Sequence, residues 1–353
     1  MAEALRLAGR GLYTCDPNPR VGCVIARDGR VVGRGWHERA GGPHAEIVAL
    51  KDATGAARGG TAYVTLEPCA HHGRTPPCTG ALVDAGIGRV VYAGDDPYPE
   101  DSGGGAQQLR AAGIEVESGL LLREAEALNP GFLTRARSGR PWMRVKTAIS
   151  LDGRTALRNG DSQWISSGHS RRDVQRWRAR SSAVLTGIGT VLADDPTLNA
   201  RLEETVLQPL RVIVDSAWRT PPDGRLFSEP GPVLVAGLEA EALPAGLERR
   251  AECLPLPAGE DGVDLVALLA ALADRGMNEV QVEAGASLCG SLLRQDLVDE
   301  LLVYQAPVLL GDGGPGPFAF GPLDSMGERT HLEWVESRRF GVDQRIRYTR
   351  HGH

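Results

Sequence analysis

The sequence is poor in aromatic residues, in cysteine and in net positive charge. Phe, Trp and Tyr make up 5% of its 353 residues, so its cores must be built from Val, Leu, Ala and Ile. Lys and Arg number 39 against 45 Asp and Glu, a formal charge of −6. That balance counts against a general nucleic-acid binder, which carries a basic face, but not against a local basic pocket for one phosphate. Six cysteines are too few for a disulfide scaffold at this length. No apolar run reaches the ~20 residues of a membrane-spanning helix, and no charged-then-apolar segment opens the chain. The expectation is a cytoplasmic protein with neither nucleic-acid nor membrane partners. Repeats and low-complexity tracts are also absent. What remains is 42% hydrophobic and 24% charged, the composition of globular protein, in a length that suits two domains.

The first half alternates strands and helices. Val21–Ala26 and Val31–Gly35 read as short strands around Asp28-Gly29, a hairpin turn signal. Gly41-Gly42-Pro43 breaks the chain before the helical stretch Ala45–Ala53, and Thr61–Leu66 reads as a strand. Helices are predicted over Thr79–Ala85 and Ala106–Ala112, and strands over Arg89–Ala93 and Ile114–Glu117. The character changes near Asn129-Pro130-Gly131 and Ser138-Gly139-Arg140-Pro141, which read as punctuation. A second alternating series follows, with strands at Trp142–Ser150, Ala183–Thr186, Leu210–Val214, Val233–Ala236, Glu279–Glu283 and Glu300–Gln305. Its helices are predicted over His169–Arg180, Val263–Ala273 and Ser287–Gln295, and Arg329–Tyr348 reads as paired antiparallel strands. Two α/β domains are expected, 1–142 and 143–353, each a sheet covered by helices.

The chemistry concentrates in His44-Ala45-Glu46, Pro68-Cys69 and Cys78. One imidazole and two thiolates give a Zn²⁺ three protein ligands and leave its fourth position open, the layout of a catalytic site. The metal lowers the pKa of a water held there toward ~7. Glu46, two residues from His44, leans toward that water as a proton shuttle. Pro68-Cys69 is expected to enter a helix, whose N-terminal amides favour thiolate. A surface His, a helix Glu and two core Cys could share a chain by coincidence. His-x-Glu directly after a Gly-Gly-Pro break, and Pro-Cys directly after a strand, match the zinc deaminase signature instead. A structural zinc would need a fourth ligand, and His71 and His72 stand too close to Cys69 to fold back easily. The gap between Cys69 and Cys78 is eight residues, not the two of the signature.

The second half is less specific by itself. Glu283-Ala284-Gly285-Ala286-Ser287 is a strand end, small residues and a helix start. Such a junction exposes amides that can hold a phosphate, although plain strand–helix packing uses the same residues. Gly187-Ile188-Gly189-Thr190 has the same ambiguity. Arg178 and Arg201 could be solvated surface charges, or the bidentate donors that a sugar phosphate needs; Ser162 could add a hydroxyl.

Pro17-Asn18-Pro19-Arg20-Val21-Gly22-Cys23-Val24-Ile25, His44-Ala45-Glu46 and the run Thr65 to Cys78, with His71-His72-Gly73-Arg74-Thr75-Pro76-Pro77 inside it, resemble the deaminase half of bifunctional riboflavin-biosynthesis deaminase/reductases. The long insertion between the cysteines separates that family from nucleoside and tRNA deaminases. Lys146 to about Gly311, with Leu297–Leu301 and Ala306–Gly311, is similar to its reductase half. The resemblance implies an N-terminal cytidine-deaminase-like three-layer α/β/α domain and a C-terminal dihydrofolate-reductase-like α/β domain. It implies one Zn²⁺ on His44, Cys69 and Cys78, Glu46 as proton shuttle, and substrate contacts from Asn18, His37, His71 and Arg74. For the reductase it implies substrate contacts at Ser162, Arg178, Leu198, Arg201 and Glu283. NADPH contacts are implied at Ala148, Trp164, Thr190, Asp194, Ser216, Gly285, Ala286, Ser287, Leu288, Cys289, Gly290 and Ser291. The implied substrate is a phosphoribosylaminopyrimidine, deaminated at C2 by one domain and reduced from ribosyl to ribityl by the other. Lys146, Asp194 and Glu283 are the polar candidates for the reduction step. A homo-oligomer is the family precedent. Tyr98 departs from the pattern, standing where the family often has Asn. Two other readings are a nucleoside or tRNA deaminase with an appended domain, and a zinc-stabilised interaction module without activity. The acidic balance and long insertion oppose the first, and Glu46 opposes the second.

Overall fold

A computed structural model describes residues 1–70, 77–98, 103–204, 206–240 and 243–350. The chain divides into two units, Met1–Gly139 and Arg140–His353. The expected break after residue 142 would fall inside the first strand of the second unit, Trp142–Ile149. Among the described residues no helix is long and apolar enough to cross a membrane.

The first unit runs α1 (Ala2–Ala8), β1 (Gly22–Arg27), β2 (Arg30–Trp36), α2 (Ala45–Asp52), β3 (Thr61–Leu66), α3 (Cys78–Asp84), β4 (Arg89–Gly94), α4 (Gly104–Ala111), β5 (Glu115–Ser118), α5 (Leu122–Leu128) and α6 (Pro130–Ser138). The strands form one sheet in the order β2-β1-β3-β4-β5. Asp28 and Gly29 make the β1–β2 turn with φ of 51° and 73°, the positive pair that a two-residue hairpin needs. β1 alternates its faces. Cys23 and Ile25 join α2, α3 and α4 through Ala45, Ala49, Leu82 and Leu109, while Val24 meets Ala4 and Leu7 of α1. Helices on both faces make three layers.

Asn129-Pro130-Gly131 is not a break but a helix start. Pro130 takes the first helical position of α6, where its missing N–H costs nothing, and Gly139 closes the helix at φ 65°. The Asn129 side chain clasps the Arg20 backbone, accepting from its N–H at 2.8 Å and donating to its C=O at 2.9 Å.

The second unit runs β6 (Trp142–Ile149), α7 (Gly168–Arg180), β7 (Ala183–Gly187), α8 (Ile188–Asp194), β8 (Leu210–Val214), β9 (Val233–Leu238), α9 (Ala245–Glu248), β10 (Glu252–Leu256), β11 (Ala258–Gly259), β12 (Gly262–Val263), α10 (Leu265–Asp274), β13 (Glu279–Val282), α11 (Ala286–Arg294), β14 (Glu300–Gln305), β15 (Leu332–Phe340) and β16 (Asp343–Arg350). A nine-stranded sheet has the order β10-β9-β8-β7-β13-β6-β14-β16-β15, and β11-β12 is a separate hairpin. In that sheet β10, β9, β8, β7, β13, β6 and β14 run parallel; β16 and β15, the paired strands expected over Arg329–Tyr348, are antiparallel. Leu268, Leu269 and Leu272 of α10 and Leu292 of α11 bury one sheet face against Val145, Leu185, Val212 and Val282. Val174 and Trp177 of α7 cover Leu302 and Tyr304 on the other. Val263 belongs to the hairpin, so α10 starts two residues later than expected. Asp264 caps it by accepting from the Val266 and Ala267 amides at 2.9 and 3.0 Å.

Candidate active sites

His44 is the N-cap residue of α2, with φ −70° and ψ 160°, and Glu46 lies in the first turn. The imidazole therefore precedes the helix while the carboxylate rides on it. Two glycine positions let the surrounding backbones close in. A Cβ on Gly35 of β2 would lie 2.2 Å from the Ala45 carbonyl, so only glycine admits α2 there. A Cβ on Gly105 of α4 would lie 2.0 Å from the Pro68 carbonyl, next to Cys69. Glu67 joins the same two elements: buried at 4% exposure, it accepts from the Gly103 and Ala106 amides at 2.9 Å and from Asp96 at 3.3 Å.

His44 Nδ1 is 3.2 Å from Cys78 Sγ and 3.6 Å from Cys69 Sγ. The three ligand atoms lie within 4.8 Å of one another, and no other such group of His, Cys, Asp or Glu occurs among the described residues. A tetrahedral Zn²⁺ with bonds of about 2.0–2.3 Å spaces its donors roughly 3.5 Å apart, so this donor set fits one. Cys69 does not enter a helix. It lies in the loop after β3, and it is Cys78 that starts α3, behind Pro77. The expected amide still reaches Cys69, because Cys78 N–H donates to its sulfur at 3.3 Å. A hydrogen bond from the Cys78 thiol, with help from His44 and that amide, lowers the Cys69 thiol to about 4 against the effect of burial. Cys78, which gives that hydrogen bond, is shifted upward. Glu46 is 4% exposed, and burial raises its carboxyl above the ordinary value while its backbone N–H and His44 pull the other way.

His37 is buried and its ring stands edge-on to His44, centroids 5.6 Å apart. Its Nδ1 is 3.0 Å from the Pro43 carbonyl, which can only accept, so the proton sits on Nδ1. Nε2 then accepts from the Asn18 side-chain amide at 3.0 Å, which turns Asn18 Oδ1 away from the ring. Burial lowers the His37 pKa and keeps it neutral. Asn18, His37, His44 and Glu46 thus converge; His71 and Arg74 lie outside the described residues.

In the second unit the chemistry gathers at the C-terminal ends of the parallel strands, where open α/β sheets bind ligands. Arg178 of α7 grips Glu283, just past β13, through Nε and Nη2 at 2.6 and 2.9 Å. Its Nη1 donates to the Asn199 carbonyl at 3.1 Å. Gln281 donates to the same Glu283 at 2.7 Å. Burial works to raise the Glu283 carboxyl, but Arg178, Lys146 and Gln281 bring it down to about 2. Lys146 of β6 has its pKa lowered by burial, with Glu283 opposing. Arg201 is exposed and anchored to Thr197 Oγ1 at 2.8 Å and Asn199 Oδ1 at 2.9 Å. Gly187 ends β7 against the Leu288 side chain of α11, 3.5 Å from where its Cβ would lie.

Residues 141–345 match the model of the RibD C-terminal domain, and residues 1–94 match the cytidine and deoxycytidylate deaminase zinc-binding region. The chain belongs to the RibD family. It is 46% identical to riboflavin biosynthesis protein RibD of Escherichia coli over 97% of this chain and 96% of that protein. It is 44% identical to the Haemophilus influenzae RibD over 100% and 97%. Among solved structures, Acinetobacter baumannii RibD matches with TM-score 0.92 at 42% identity, covering 99% of this chain and 97% of that one. The Thermotoga maritima diaminohydroxyphosphoribosylaminopyrimidine deaminase/5-amino-6-(5-phosphoribosylamino)uracil reductase matches with TM-score 0.90 at 35% identity, covering 99% and 97%.

Not every residue that the RibD resemblance implied faces open space. Cys289 and Ser291 of α11 are buried, and a Cβ on Gly290 would lie 2.1 Å from the Ala319 carbonyl. These three pack the helix down; Gly285 and Ser287 are its exposed N-terminal residues, with Ala286 and Leu288 half-buried. Arg178 has Nε and both Nη atoms engaged, so it is less a free phosphate donor than the partner that fixes Glu283. Leu198 is buried at φ 54°. Ala148 is half-buried on β6, while Thr190 and the exposed Asp194 lie on α8. Ser216 lies two residues past β8, and Ser162 is half-buried in the loop before α7. Trp164 is 69% exposed, with the Arg171 guanidinium 4.4 Å from its ring. Tyr98 packs edge-on against Phe132 of α6, 5.6 Å between centroids. Glu67 and Gln281 escaped the sequence reading, although each stands two residues from a named site residue, Cys69 and Glu283.

Proposed function

We propose that this chain performs two consecutive steps of riboflavin biosynthesis. The first unit hydrolyses the exocyclic amine at C2 of 2,5-diamino-6-(5-phosphoribosylamino)pyrimidin-4-one. The second reduces the ribosyl group of the resulting 5-amino-6-(5-phosphoribosylamino)uracil to ribityl. The observation that carries the reading is the convergence of His44, Cys69 and Cys78 beside a buried Glu46, in a chain of the RibD family.

His44, Cys69 and Cys78 would hold the zinc. When bound, zinc supplies Lewis acidity and an ionisable water at neutral pH. The protein's part is proton handling and orientation. Glu46, with a raised pKa, takes a proton as water attacks C2 and returns it toward the ring nitrogen and the leaving ammonia. Neutral His37 locks the Asn18 amide, so that Asn18 Oδ1 can accept from the substrate.

In the second unit, Gly285–Leu288, Thr190, Asp194 and Ser216 border the site for NADPH, which supplies the hydride that reaches C1′. Arg201 and Ser162 are the substrate-side donors. Glu283, held ionised by Arg178, can accept from a ribose hydroxyl but cannot give a proton at neutral pH. Lys146 can, and its lowered pKa suits it to do so. A cytoplasmic location follows from the need for reduced Cys69 and Cys78. Association with a second copy is supported by the exposed Trp334 and Val335 on the edge strand β15.

Glu46→Gln tests the assignment. The variant should keep its zinc, lose ammonia release by at least ~100-fold, and still oxidise NADPH when given the deaminated intermediate. Substantial remaining deamination would remove Glu46 from the reaction.

A further inference from the structure

Beyond β6, β13 and β7 the next strand of the parallel run is β8, and the turn after it presents an arginine. Asp215 is fully buried there; its Oδ2 accepts from Thr220 N–H at 2.7 Å and from Thr220 Oγ1–H at 2.8 Å. Its Oδ1 has no hydrogen-bond partner and faces Arg219 Nε at 3.9 Å. The Arg219 side chain is 58% exposed. The turn itself is clamped to β9: Asp215 N–H donates to Ala236 O at 2.8 Å, and the Trp218 indole N–H donates to Leu238 O at 2.9 Å. A Cβ on Gly262 would lie 2.4 Å from Ser216 Oγ, so the β11–β12 hairpin roofs Ser216. That hairpin is tied to α11, because Asp261 accepts from Ser291 at 2.6 Å and pairs with Arg294. Ser216, Arg219, the hairpin and α11 are therefore one connected rim.

The strand order gives this rim a direction. Lys146 and Glu283 stand at β6 and β13, the glycine junctions Gly187 and Gly285 at β7 and β13, and Ser216 with Arg219 at β8. Adjacent strands are about 4.8 Å apart, so β6 to β8 spans roughly 14 Å. A dinucleotide with its nicotinamide at Lys146 and Glu283 and its pyrophosphate at the junctions carries its adenosine ribose over β8. A dinucleotide site that prefers NADH uses a strand-end carboxylate to accept from the ribose 2′-OH. Here the strand-end carboxylate, Asp215, is sealed from solvent and spent on Thr220 and Arg219. What faces outward is a guanidinium, whose planar donors match a phosphate.

We propose that Arg219, assisted by the Ser216 hydroxyl, binds the 2′-phosphate of NADPH and makes the second unit prefer it to NADH. The inference rests on the reading of these strand ends as the dinucleotide site. Asp215 acts through Arg219, steadying the guanidinium from below.

The test is direct binding, without turnover. NADPH and NADH are titrated into the full-length zinc-loaded protein and followed by nicotinamide fluorescence. Wild type should bind NADPH at least about tenfold more tightly than NADH. Arg219→Ala and Arg219→Gln should each lose about tenfold in NADPH affinity and leave NADH unchanged, whereas Arg219→Lys keeps part of the preference. Equal loss for both nucleotides, or an unchanged preference, overturns the role of Arg219. Wild type that binds both nucleotides equally overturns the selectivity while leaving the dinucleotide site standing. Wild type that binds neither overturns the strand-end cofactor reading and this inference with it.

Discussion

Glu67 shows how much a single side chain beyond the ligands can carry. It is buried, it directly precedes Pro68-Cys69, and it takes three backbone N–H groups from the start of α4 and from Asp96. Removing a buried acceptor strands its donors, at about 1–3 kcal/mol each where water cannot replace it. Glu67→Ala should therefore lower the stability of the first unit by about 2 kcal/mol and weaken zinc retention, since Cys69 loses the clasp behind it. Urea unfolding followed by near-ultraviolet signals, together with zinc content after dialysis, checks this. An unchanged midpoint with full zinc would mean that Gly105 packing alone holds the loop. Reduction of the deaminated intermediate should continue in this variant. His37 illustrates the same dependence in a neutral group, because one carbonyl, that of Pro43, decides its tautomer and so which way Asn18 turns.

At the level of elements, the site depends on how closely α2 approaches β2. A Cβ at position 35 would meet the Ala45 carbonyl at 2.2 Å and the Ala49 amide at 2.5 Å. Gly35→Ala must push α2 outward by on the order of 1 Å, and α2 carries both His44 and Glu46; a misplacement of that size costs up to ~100-fold in rate. Ammonia release at saturating zinc should fall by about that factor with NADPH oxidation preserved, and a wild-type kcat for deamination would show that the sheet yields instead. Elements with a single consistent signal were legible in the sequence. The Asp28-Gly29 hairpin, α2 after Gly-Gly-Pro, and α7 were expected close to where they lie. α6 was not, because Asn129-Pro130-Gly131 resembles a turn and is also a good helix start; only the Arg20 backbone, far away in sequence, decides between them. Cys69 was expected in a helix for the same kind of reason. The amide that serves it comes from α3, across the loop. The meeting of His44, Cys69 and Cys78 was legible because their sequence motifs are themselves the signal. The Arg178–Glu283 pair was legible only as two charged residues, since 105 positions separate the partners and no local pattern joins them.

At the scale of the whole molecule, the two units solve different problems with different materials. The first assembles donors for a metal around small residues, Ala45, Ala49, Ala53 and Ala62, that let backbones approach. The second buries a layer of charge beneath α7. Arg144, with no solvent exposure, pairs with Glu279 at 2.8 Å and Glu300 at 2.7 Å, and Arg347 reaches the same Glu300 at 2.7 Å. Arg144, Arg180, Arg345 and Arg347 all lie 4.6–5.2 Å from the ring centre of Trp177. Such a layer contributes little net stability, because desolvation offsets the attraction. None of this polar layer involves His44, Cys69 or Cys78. Removal of zinc should therefore act on one activity alone. After exhaustive chelation, ammonia release from the diamino substrate should vanish, while NADPH oxidation on the deaminated intermediate keeps its rate; added Zn²⁺ should restore the first. The same experiment separates an enzyme from a zinc-stabilised module, which would lose structure on chelation but would have released no ammonia beforehand. Loss of both activities together would mean that the metal supports the fold of the whole chain, and that the two steps are not separable in the way the two cores imply.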